Sequence, residues 1–419
     1  MKKITTIISL VALAVCVNAQ TLQVQSAIES LKRGYLSKAK DAIDLASQHE
    51  QTKADAKTWC YKGLIYSQIG IELQKSPNSK YSKMYANLQP AWYETAYEAA
   101  ERCKELDVKG EFTDNNNSVF RYVSQEYYTQ SAAQYNAQNF DEALRMAEIA
   151  IKICNMTDDK GLKNDSYYLA GLAAQAKHDN EAILKYYKPL VRTPHKDTNF
   201  HKKMPRIFNT MFSIYMGKKD TVEVMKLANL YTKNYPNDYN AYLMMSQAEA
   251  WRGNFQKAKE MITMATNKAG NNTELRSDLM CQAAGILELA KDYKGAEENY
   301  LAALQQKPQQ FKANYGLGIM IYNRGVDKRN EANKEDVNTD EGFEKSQKLT
   351  QEANGYFENS IQYFKNALNY LESLTNENEI ALNRKNLYDC LKSLSTVYST
   401  LEKYDDLKPI KEKLKQFEG

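Results

Sequence analysis

The sequence contains few residues that interrupt regular secondary structure. Only 17 glycines and 8 prolines occur among 419 residues, and β-branched residues nowhere alternate with polar ones over the length of a strand. Glycine and proline interrupt helices because glycine adds backbone freedom and proline removes a hydrogen-bond donor. The shortage of both residues, without a strand pattern, predicts an all-α chain.

The sequence also lacks the residue spacings that catalysis and cofactor binding require. It contains no phosphate-binding Walker loop, no nucleophile elbow, no H-E-x-x-H motif and no C-x-x-C pair. Gly316 and Gly318 begin a G-x-G, but the third glycine is missing. We therefore expect no catalytic residue, no metal site and no cofactor, and we interpret the chain as a non-enzyme.

Histidine, the side chain that most often moves protons in enzymes, occurs only four times. His195 and His201 lie in a polar linker with Lys196, Lys202 and Lys203. A weak anion site or an adventitious metal site is one interpretation of this segment. No carboxylate or cysteine stands at ligand spacing, so we expect solvated loop histidines instead.

Long apolar runs are missing as well, since no stretch beyond the N-terminus approaches the roughly 20 residues that span a membrane. At the N-terminus, two lysines precede a short apolar stretch over 7–17, and small residues follow. This order is typical of a secretory signal peptide over 1–19, with cleavage after Ala19. We expect export to the bacterial periplasm without membrane insertion.

Cys16 leaves an alternative for the N-terminus. Leu13, Ala14, Val15 and Cys16 loosely resemble a bacterial lipobox, in which the cysteine carries a lipid anchor. Val15 is bulkier than the residue usually found before a lipidated cysteine, which favours simple cleavage over a lipoprotein.

Five cysteines remain after cleavage, with no metal-site or redox spacing, and an odd number leaves at least one unpaired in a monomer. Cys60 and Cys103 fall on the two helices of one proposed hairpin, so a disulfide is conceivable in an exported protein. The interpretation that we favour is that each cysteine is a small buried apolar residue.

Neither sign of charge dominates the sequence. The chain carries 56 Lys and Arg against 52 Asp and Glu, and loss of Lys2 and Lys3 with the signal peptide lowers the formal net charge from +4 to +2. A nucleic-acid partner would require a concentrated basic face rather than mixed charge. We therefore expect no nucleic-acid partner, and the sequence leaves the oligomeric state undetermined.

The sequence does contain a repeating pattern of small and aromatic residues. A small residue opens a helix and is followed four and seven positions later by further small, aliphatic or aromatic residues, as in Ala258, Ile262 and Ala265. This spacing forms one face of a helix. The opening positions are Ala39, Ala96, Ala143, Ala182, Val224, Ala258, Ala296, Ser360 and Leu407.

The pattern resembles the tetratricopeptide repeat (TPR) family. Trp59, Gly63 and Tyr66 match the W-x2-L-G-x2-Y opening of its first helix, with Lys62 in place of the aliphatic residue. Two segments resemble the turn and second helix of the family: Asn139, Phe140 and Ala143, and Asp292, Tyr293 and Ala296. The resemblance implies a right-handed solenoid of about nine helical hairpins over residues 20–419, with a concave face that binds a protein or peptide.

Two insertions, near 74–90 and 326–350, lengthen the spacing between repeats. Both fall between a first helix and its own second helix, so we expect them to project from the same edge of the solenoid. The first contains proline, tyrosine and methionine and is a candidate docking loop. The second is rich in Lys, Asp, Glu and Asn, and we expect an extended helical hairpin in water.

In this family the inner face is formed by first-helix positions that flank the packed stripe. Aromatic rings and amides on such a face suit an extended peptide, because rings provide contact area and amides pair with the peptide backbone. A glycan that stacks on the rings remains the alternative partner. The resemblance implies these partner-binding residues on the concave face: Tyr128, Tyr135, Tyr168, Asn209, Gln247, Trp251, Tyr315, Tyr322 and Asn323, with Gln175 and Met216 near them.

One binding mode of the family is not expected. Chaperone-binding members hold a C-terminal carboxylate with Lys, Asn and Arg side chains on successive first helices. The corresponding positions here include Cys60, Tyr61, Ala132 and Tyr128. The resemblance therefore implies a scaffold without this carboxylate clamp.

Overall fold

A computed structural model describes residues 22–75, 83–85, 92–192, 194–195 and 197–417 of the chain. Within them, all regular secondary structure is helical, which confirms the expected all-α class. The predicted signal peptide over 1–19, with Cys16, lies outside the described residues, and so does most of the first insertion. No helix in the described residues combines the length and the apolar character needed to cross a membrane.

The chain divides into two compact units, and the division lies between residues 192 and 193. The first unit, unit 1, has a short 3-10 turn at Thr52–Ala54 between its second and third helices. Its α-helices are 22–32 (α1), Leu36–Gln48 (α2), Ala56–Lys75 (α3), Trp92–Leu106 (α4), Thr113–Asn136 (α5), Phe140–Thr157 (α6), Lys160–Ala176 (α7) and Asn180–Val191 (α8).

The second unit, unit 2, begins with a single helical turn and continues with longer helices. They are Thr198–His201 (α9), Met204–Gly217 (α10), Thr221–Asn234 (α11), Tyr239–Trp251 (α12), Phe255–Lys268 (α13), Thr273–Leu289 (α14), Tyr293–Gln306 (α15), Phe311–Ala332 (α16), Asp340–Glu372 (α17), Glu377–Thr400 (α18) and Tyr404–Lys415 (α19).

Consecutive helices pack as hairpins in both units. The first and second helices pair as α1/α2, α3/α4, α5/α6 and α7/α8 in unit 1, and as α10/α11, α12/α13, α14/α15, α16/α17 and α18/α19 in unit 2. The described residues thus contain nine hairpins, in agreement with the repeat pattern of the sequence.

The two helices of a hairpin come closest where both carry a small residue. Ser246 and Ala258 are fully buried, and the Ser246 hydroxyl donates a hydrogen bond of 2.8 Å to the Ala258 carbonyl oxygen. Ser131 makes the same contact with the Ala143 carbonyl oxygen in unit 1, at 2.6 Å. A small side chain on each helix leaves room for this backbone approach, which confirms the register read from these alanines.

A recurrent turn joins the two helices of a hairpin. Its last residue before the helix cap has a positive φ, as in Gly253 (φ 80°) and Lys291 (φ 60°). The cap follows at once: the Asp292 carboxylate accepts a hydrogen bond of 3.0 Å from the Gly295 N–H. A left-handed residue next to an N-cap reverses the chain within a few positions, which sets where the second helix begins and which of its faces is buried.

The register expected at Ala182 is wrong by one position. Asp179 caps α8 by accepting hydrogen bonds from the N–H groups of Glu181 and Ala182. This cap places Ile183, four residues later, at the position that Ala143 and Ala258 occupy after their own caps. The buried stripe of α8 is accordingly Ile183, Tyr187 and Leu190, whereas Ala182 is partly exposed.

The second insertion, near 326–350, continues two helices. The C-terminal part of α16 and the N-terminal part of α17 extend past the core and are joined by a turn over 333–339. The Thr339 hydroxyl caps α17 by accepting a hydrogen bond of 3.1 Å from the Gly342 N–H, and Ala332 and Ala353 are buried between the two helices. The insertion is therefore a lengthened hairpin.

Substitution of Ala258 by leucine tests the close approach of the two helices. We expect a loss of about 1–3 kcal/mol in the free energy of unfolding, because the added carbons overpack a site without free space. Urea unfolding followed by circular dichroism measures it. The same substitution at the exposed Ala133 of α5 is the control and should change stability by less than about 0.5 kcal/mol. Equal stability of the two variants would contradict the packing at Ala258.

Candidate functional site

The first helices of successive hairpins also contact one another. In unit 1 these contacts join α3 to α5 and α5 to α7, and in unit 2 they join α10 to α12, α12 to α14, α14 to α16 and α16 to α18. Within each unit these helices therefore form a continuous layer. This layer carries the residues that the sequence analysis assigned to partner binding.

Three polar contacts bridge consecutive first helices in unit 2. The Gln247 amide of α12 donates to the Gln282 amide oxygen of α14 at 3.3 Å. Gln310, the N-cap residue of α16, donates to the Asp278 carboxylate of α14 at 2.7 Å. Further along, the hydroxyls of Tyr315 (α16) and Ser393 (α18) lie 3.3 Å apart. We call these six residues the first-helix row: Gln247, Asp278, Gln282, Gln310, Tyr315 and Ser393.

The predicted partner-binding residues differ in how much of their surface is available. The polar members Asn209, Gln247 and Asn323 are exposed. The aromatic members are only partly exposed, and several of them pack against neighbouring helices: Tyr128, Tyr135, Tyr168, Trp251, Tyr315 and Tyr322. The aromatic residues thus contribute to the hairpin stack as well as to the surface.

Tyr315 and Tyr322 show this double role clearly. Tyr315 packs edge-on against Phe364 of α17, with ring centroids 5.7 Å apart, and stacks on Phe311 at 5.6 Å. Tyr322 contacts Phe357 of α17 at 5.1 Å. Burial raises the pKa of Tyr315, and the hydrogen bond with Ser393 partly opposes that rise. Tyr315 therefore remains a neutral hydroxyl that can donate or accept a hydrogen bond.

The backbone of α16 lies so close to α17 that position 318 has no room for a side chain. A Cβ atom added at Gly318 would lie 2.7 Å from the Phe364 ring, which is closer than real Cβ contacts allow. The Phe364 ring therefore lies against the backbone of α16, and Tyr315 lies beside it. The positions of both rings depend on this glycine.

In unit 1 the aromatic candidates also pack on their neighbours. Tyr168 stacks on Tyr187 of α8 at 6.2 Å, and Tyr135 contacts Phe140 across the hairpin turn at 5.6 Å. Tyr128 packs against the buried core of this unit. These contacts place the three tyrosines at the edges of the core.

A polar cluster in unit 1 escaped the sequence analysis. Gln74 at the end of α3 donates to the buried carboxylate of Glu126 at 2.5 Å and accepts from the Tyr122 hydroxyl at 2.9 Å. Burial, with a further contribution from Glu126, raises the pKa of Tyr122 to about 12. Gln74 lies at the start of the first insertion, far from α5 in the sequence. The repeat pattern therefore does not predict this contact.

The linker histidines lie against aromatic rings. His195 lies 4.4 Å from Phe200, and His201 lies 4.9 Å from Tyr235, measured between ring centroids. The His195 backbone N–H donates to the Tyr235 hydroxyl at 3.2 Å. Among the described residues, no group of three or more His, Cys, Asp or Glu side chains is arranged to hold a metal ion.

The described cysteines are buried free thiols. Cys60 of α3 lies beside Cys103 of α4, and this neighbouring thiol, together with burial, raises the pKa of Cys60. The expectation of small buried residues agrees with these positions. Cys60 and Cys103 are neighbours, but no disulfide joins them in this structure.

Paired substitutions separate structural from surface roles in the first-helix layer. We expect Tyr322→Ala to lower the free energy of unfolding by about 2 kcal/mol, because its ring packs on Phe357. Gln247→Ala should change it by less than about 0.5 kcal/mol, because Gln247 is exposed. Urea denaturation of both variants measures the difference. A fully stable Tyr322→Ala variant would show that this ring adds nothing to the core.

Neither a family model nor a curated protein sequence matches the chain. Among solved structures, the chain is similar to YrrB, described as a TPR protein with an unusual peptide-binding site, at 13% identity, a TM-score of 0.35 and coverage of 46% of this chain and 95% of that one. It is also similar to the C-terminal part of a TPR repeat-containing protein from Cytophaga hutchinsonii, at 15% identity and a TM-score of 0.35, covering 69% and 97%.

A third similar structure is a TPR repeats protein from Bacteroides fragilis, at 17% identity, a TM-score of 0.27 and coverage of 66% of this chain and 98% of that one. The fold of the chain follows from its own hairpins. The nine hairpins of the described residues, with small residues at several close approaches and contacts between first helices within each unit, give the chain an all-α fold of the tetratricopeptide type.

Proposed function

We propose that this chain is a non-catalytic scaffold that binds an extended polypeptide along the first-helix layer of unit 2. The observation that carries the proposal is the first-helix row. Its amide, carboxylate and hydroxyl groups are the types that pair with backbone N–H and C=O groups of a peptide. All of them except the buried Gln310 are at least partly exposed, and they recur on successive first helices, so they offer repeated contacts.

The spacing of the row also suits a peptide. Packed helices lie about 8–10 Å apart, and an extended chain advances about 3.3 Å per residue. Each first helix would then meet roughly every third residue of a bound peptide. The contact between Gln247 and Gln282 leaves each amide with further hydrogen-bonding capacity for such a ligand.

The burial of the rings favours a polypeptide over a glycan. Sugar rings bind by stacking on broad, exposed aromatic faces, whereas Tyr315 and Tyr322 are partly covered by Phe364 and Phe357. The exposed groups of the layer are amides such as Gln247, Asn209 and Asn323. These amides are better suited to the repeating polar groups of a peptide backbone than to a stacking platform.

The proposed setting is the bacterial periplasm, reached through a signal peptide over 1–19. The two N-terminal lysines and the short apolar stretch over 7–17 support it. The absence of the catalytic motifs named above supports a binding role.

Photo-cross-linking tests the binding face. The mature chain, residues 20–419, is incubated with the envelope fraction of the source bacterium, with a photo-reactive amino acid at the exposed position 323. The wild type is compared with the double variant Gln247→Ala and Gln282→Ala. We expect a cross-linked polypeptide whose yield falls at least about fivefold in the double variant, because two of the proposed backbone contacts are lost.

The control places the same change on second helices, at the exposed residues Gln256→Ala and Gln305→Ala. This control should retain the wild-type yield. Equal losses in the two double variants, or a polypeptide that cross-links to all forms alike, would contradict binding on the first-helix layer. If no polypeptide is cross-linked and a glycan array shows binding, the glycan alternative replaces the proposal.

Mass spectrometry of the protein purified from its own cells tests the proposed export. We expect the N-terminal peptide to begin at Gln20, and the protein to be released with the periplasmic fraction. Deletion of residues 2–19 should retain the chain in the cytoplasm. An uncleaved N-terminus would contradict export by a cleaved signal, and a lipid-modified Cys16 would establish the lipoprotein alternative.

A further inference from the structure

The last hairpin of unit 2 contains an open cavity of about 760 Å³. It lies between the N-terminal half of α18 and the end of α19. The cavity is separate from the first-helix row, whose member on α18 is Ser393. The lining residues that matter for its chemistry are Leu382, Arg384, Lys385, Tyr388, Lys392 and Phe417.

Apolar side chains are exposed in and beside this cavity. Leu382 is 82% exposed, the neighbouring Ile380 is 45% exposed and Tyr388 is 37% exposed. The Tyr388 ring lies 5.5 Å from the Phe417 ring. The opposite side of α18 is already packed, since Leu391 and its neighbours are fully buried. Helix α18 thus presents a second apolar surface that the hairpin itself does not cover.

The charged residues that line the cavity are all positive. The Arg384 guanidinium lies over the Phe417 ring at 5.6 Å, and the Lys392 ammonium lies 5.9 Å from the centre of the Tyr388 ring. Lys385 pairs with Asp389 at 2.8 Å. In the part of the chain that the structure describes, no carboxylate lies within 4.0 Å of Arg384 or Lys392.

Two other basic residues of unit 2 pair closely with acidic partners. Arg324 pairs with Glu297 at 2.6 Å, and Lys403 pairs with Glu358 at 2.7 Å. Arg384 and Lys392 differ from these pairs, because they face aromatic rings and have no acidic partner among the described residues. An anionic group that enters the cavity would meet two cations beside apolar walls, where electrostatic attraction is stronger than in open water.

We infer that this cavity binds an acidic peptide segment that carries apolar side chains. Arg384 and Lys392 hold the carboxylates of the segment, and Leu382, Tyr388 and Phe417 contact its apolar side chains. The volume is within the range of ligand-sized pockets, so it fits a few residues of a chain. The lining residues form a cavity between two helices, and this shape suits a peptide better than the flat surface of a membrane.

Fluorescence anisotropy with defined probes tests this inference on the chain of residues 20–419. The first probe is a fluorescein-labelled ten-residue peptide of alternating glutamate and leucine. Two further probes replace every glutamate with glutamine or with lysine. We expect saturable binding of the glutamate peptide, and affinities at least about tenfold lower for the other two. Raising the salt from 50 to 300 mM should weaken the binding severalfold.

The charge requirement is tested with the double variant Arg384→Glu and Lys392→Glu, which should reduce affinity for the glutamate peptide at least about tenfold. The matched control reverses two other exposed lysines of unit 2, Lys294→Glu and Lys348→Glu. It changes the net charge equally and should stay within about twofold of the wild type. Equal losses in both double variants would overturn the inference, because total charge rather than the cavity would then explain binding.

The contribution of the apolar side chains to binding is tested with Leu382→Ser. This substitution should leave the fold intact, because Leu382 is highly exposed. It should reduce affinity severalfold without changing the melting temperature, whereas Val108→Ser, at an exposed position of unit 1, should have no effect on affinity. Absence of saturable binding by the wild type would refute the inference. Binding to vesicles of anionic lipid but not to the glutamate peptide would also refute it, in favour of a membrane surface.

The result is independent of the proposed function. The variant Gln247→Ala with Gln282→Ala should bind the glutamate peptide like the wild type, because it leaves the cavity intact. If this variant and the Arg384→Glu, Lys392→Glu variant both lose the peptide, the probe binds along the first-helix layer and the separate site is disproved. If only the cavity variant loses it, the separate site is supported whatever the cross-linking experiment shows.

Discussion

The close approach of two helices at a pair of small residues is the contact on which the most regular hairpins depend. At Ser246 and Ala258 both side chains are fully buried and a hydroxyl bonds directly to a backbone carbonyl across the interface. Ala284 and Ala296 occupy the matching positions one hairpin later and are also fully buried. Because the backbones can come this close, larger residues above and below can interlock, and the hairpin gains a dry interface.

The turn between the helices controls which residues reach that interface. A left-handed residue such as Lys291, followed by the cap at Asp292, sets the start of the second helix. The fourth residue after the cap is then turned towards the first helix. In α8 the cap at Asp179 places Ile183, and not the neighbouring Ala182, at the buried position. Local hydrogen bonds therefore decide the register where side-chain size alone leaves two choices.

The aromatic residues link the core to the surface. Tyr315 packs on Phe364 with its ring and reaches Ser393 on the next first helix with its hydroxyl. One side chain thus stabilises a hairpin and provides a polar group to the first-helix row. The cavity beside α18 has a different composition, because its rings lie against Arg384 and Lys392. The two surfaces therefore offer different chemistry to a partner: amides and hydroxyls in one, cations and apolar groups in the other.

The sequence by itself determined the all-α class, the nine hairpins and most of the buried register. The reason is that small residues at helical spacing are typical of helices that pack closely together. The sequence also placed Gln247 and Tyr315 on the first-helix face, since both follow from that register. Only the tertiary structure decided how much of each ring is covered, which residues bridge neighbouring helices, and how α18 and α19 enclose a cavity. These properties depend on side chains from different parts of the chain, such as Gln247 with Gln282 or Tyr388 with Phe417, and a local pattern in one helix carries no information about its partner elsewhere.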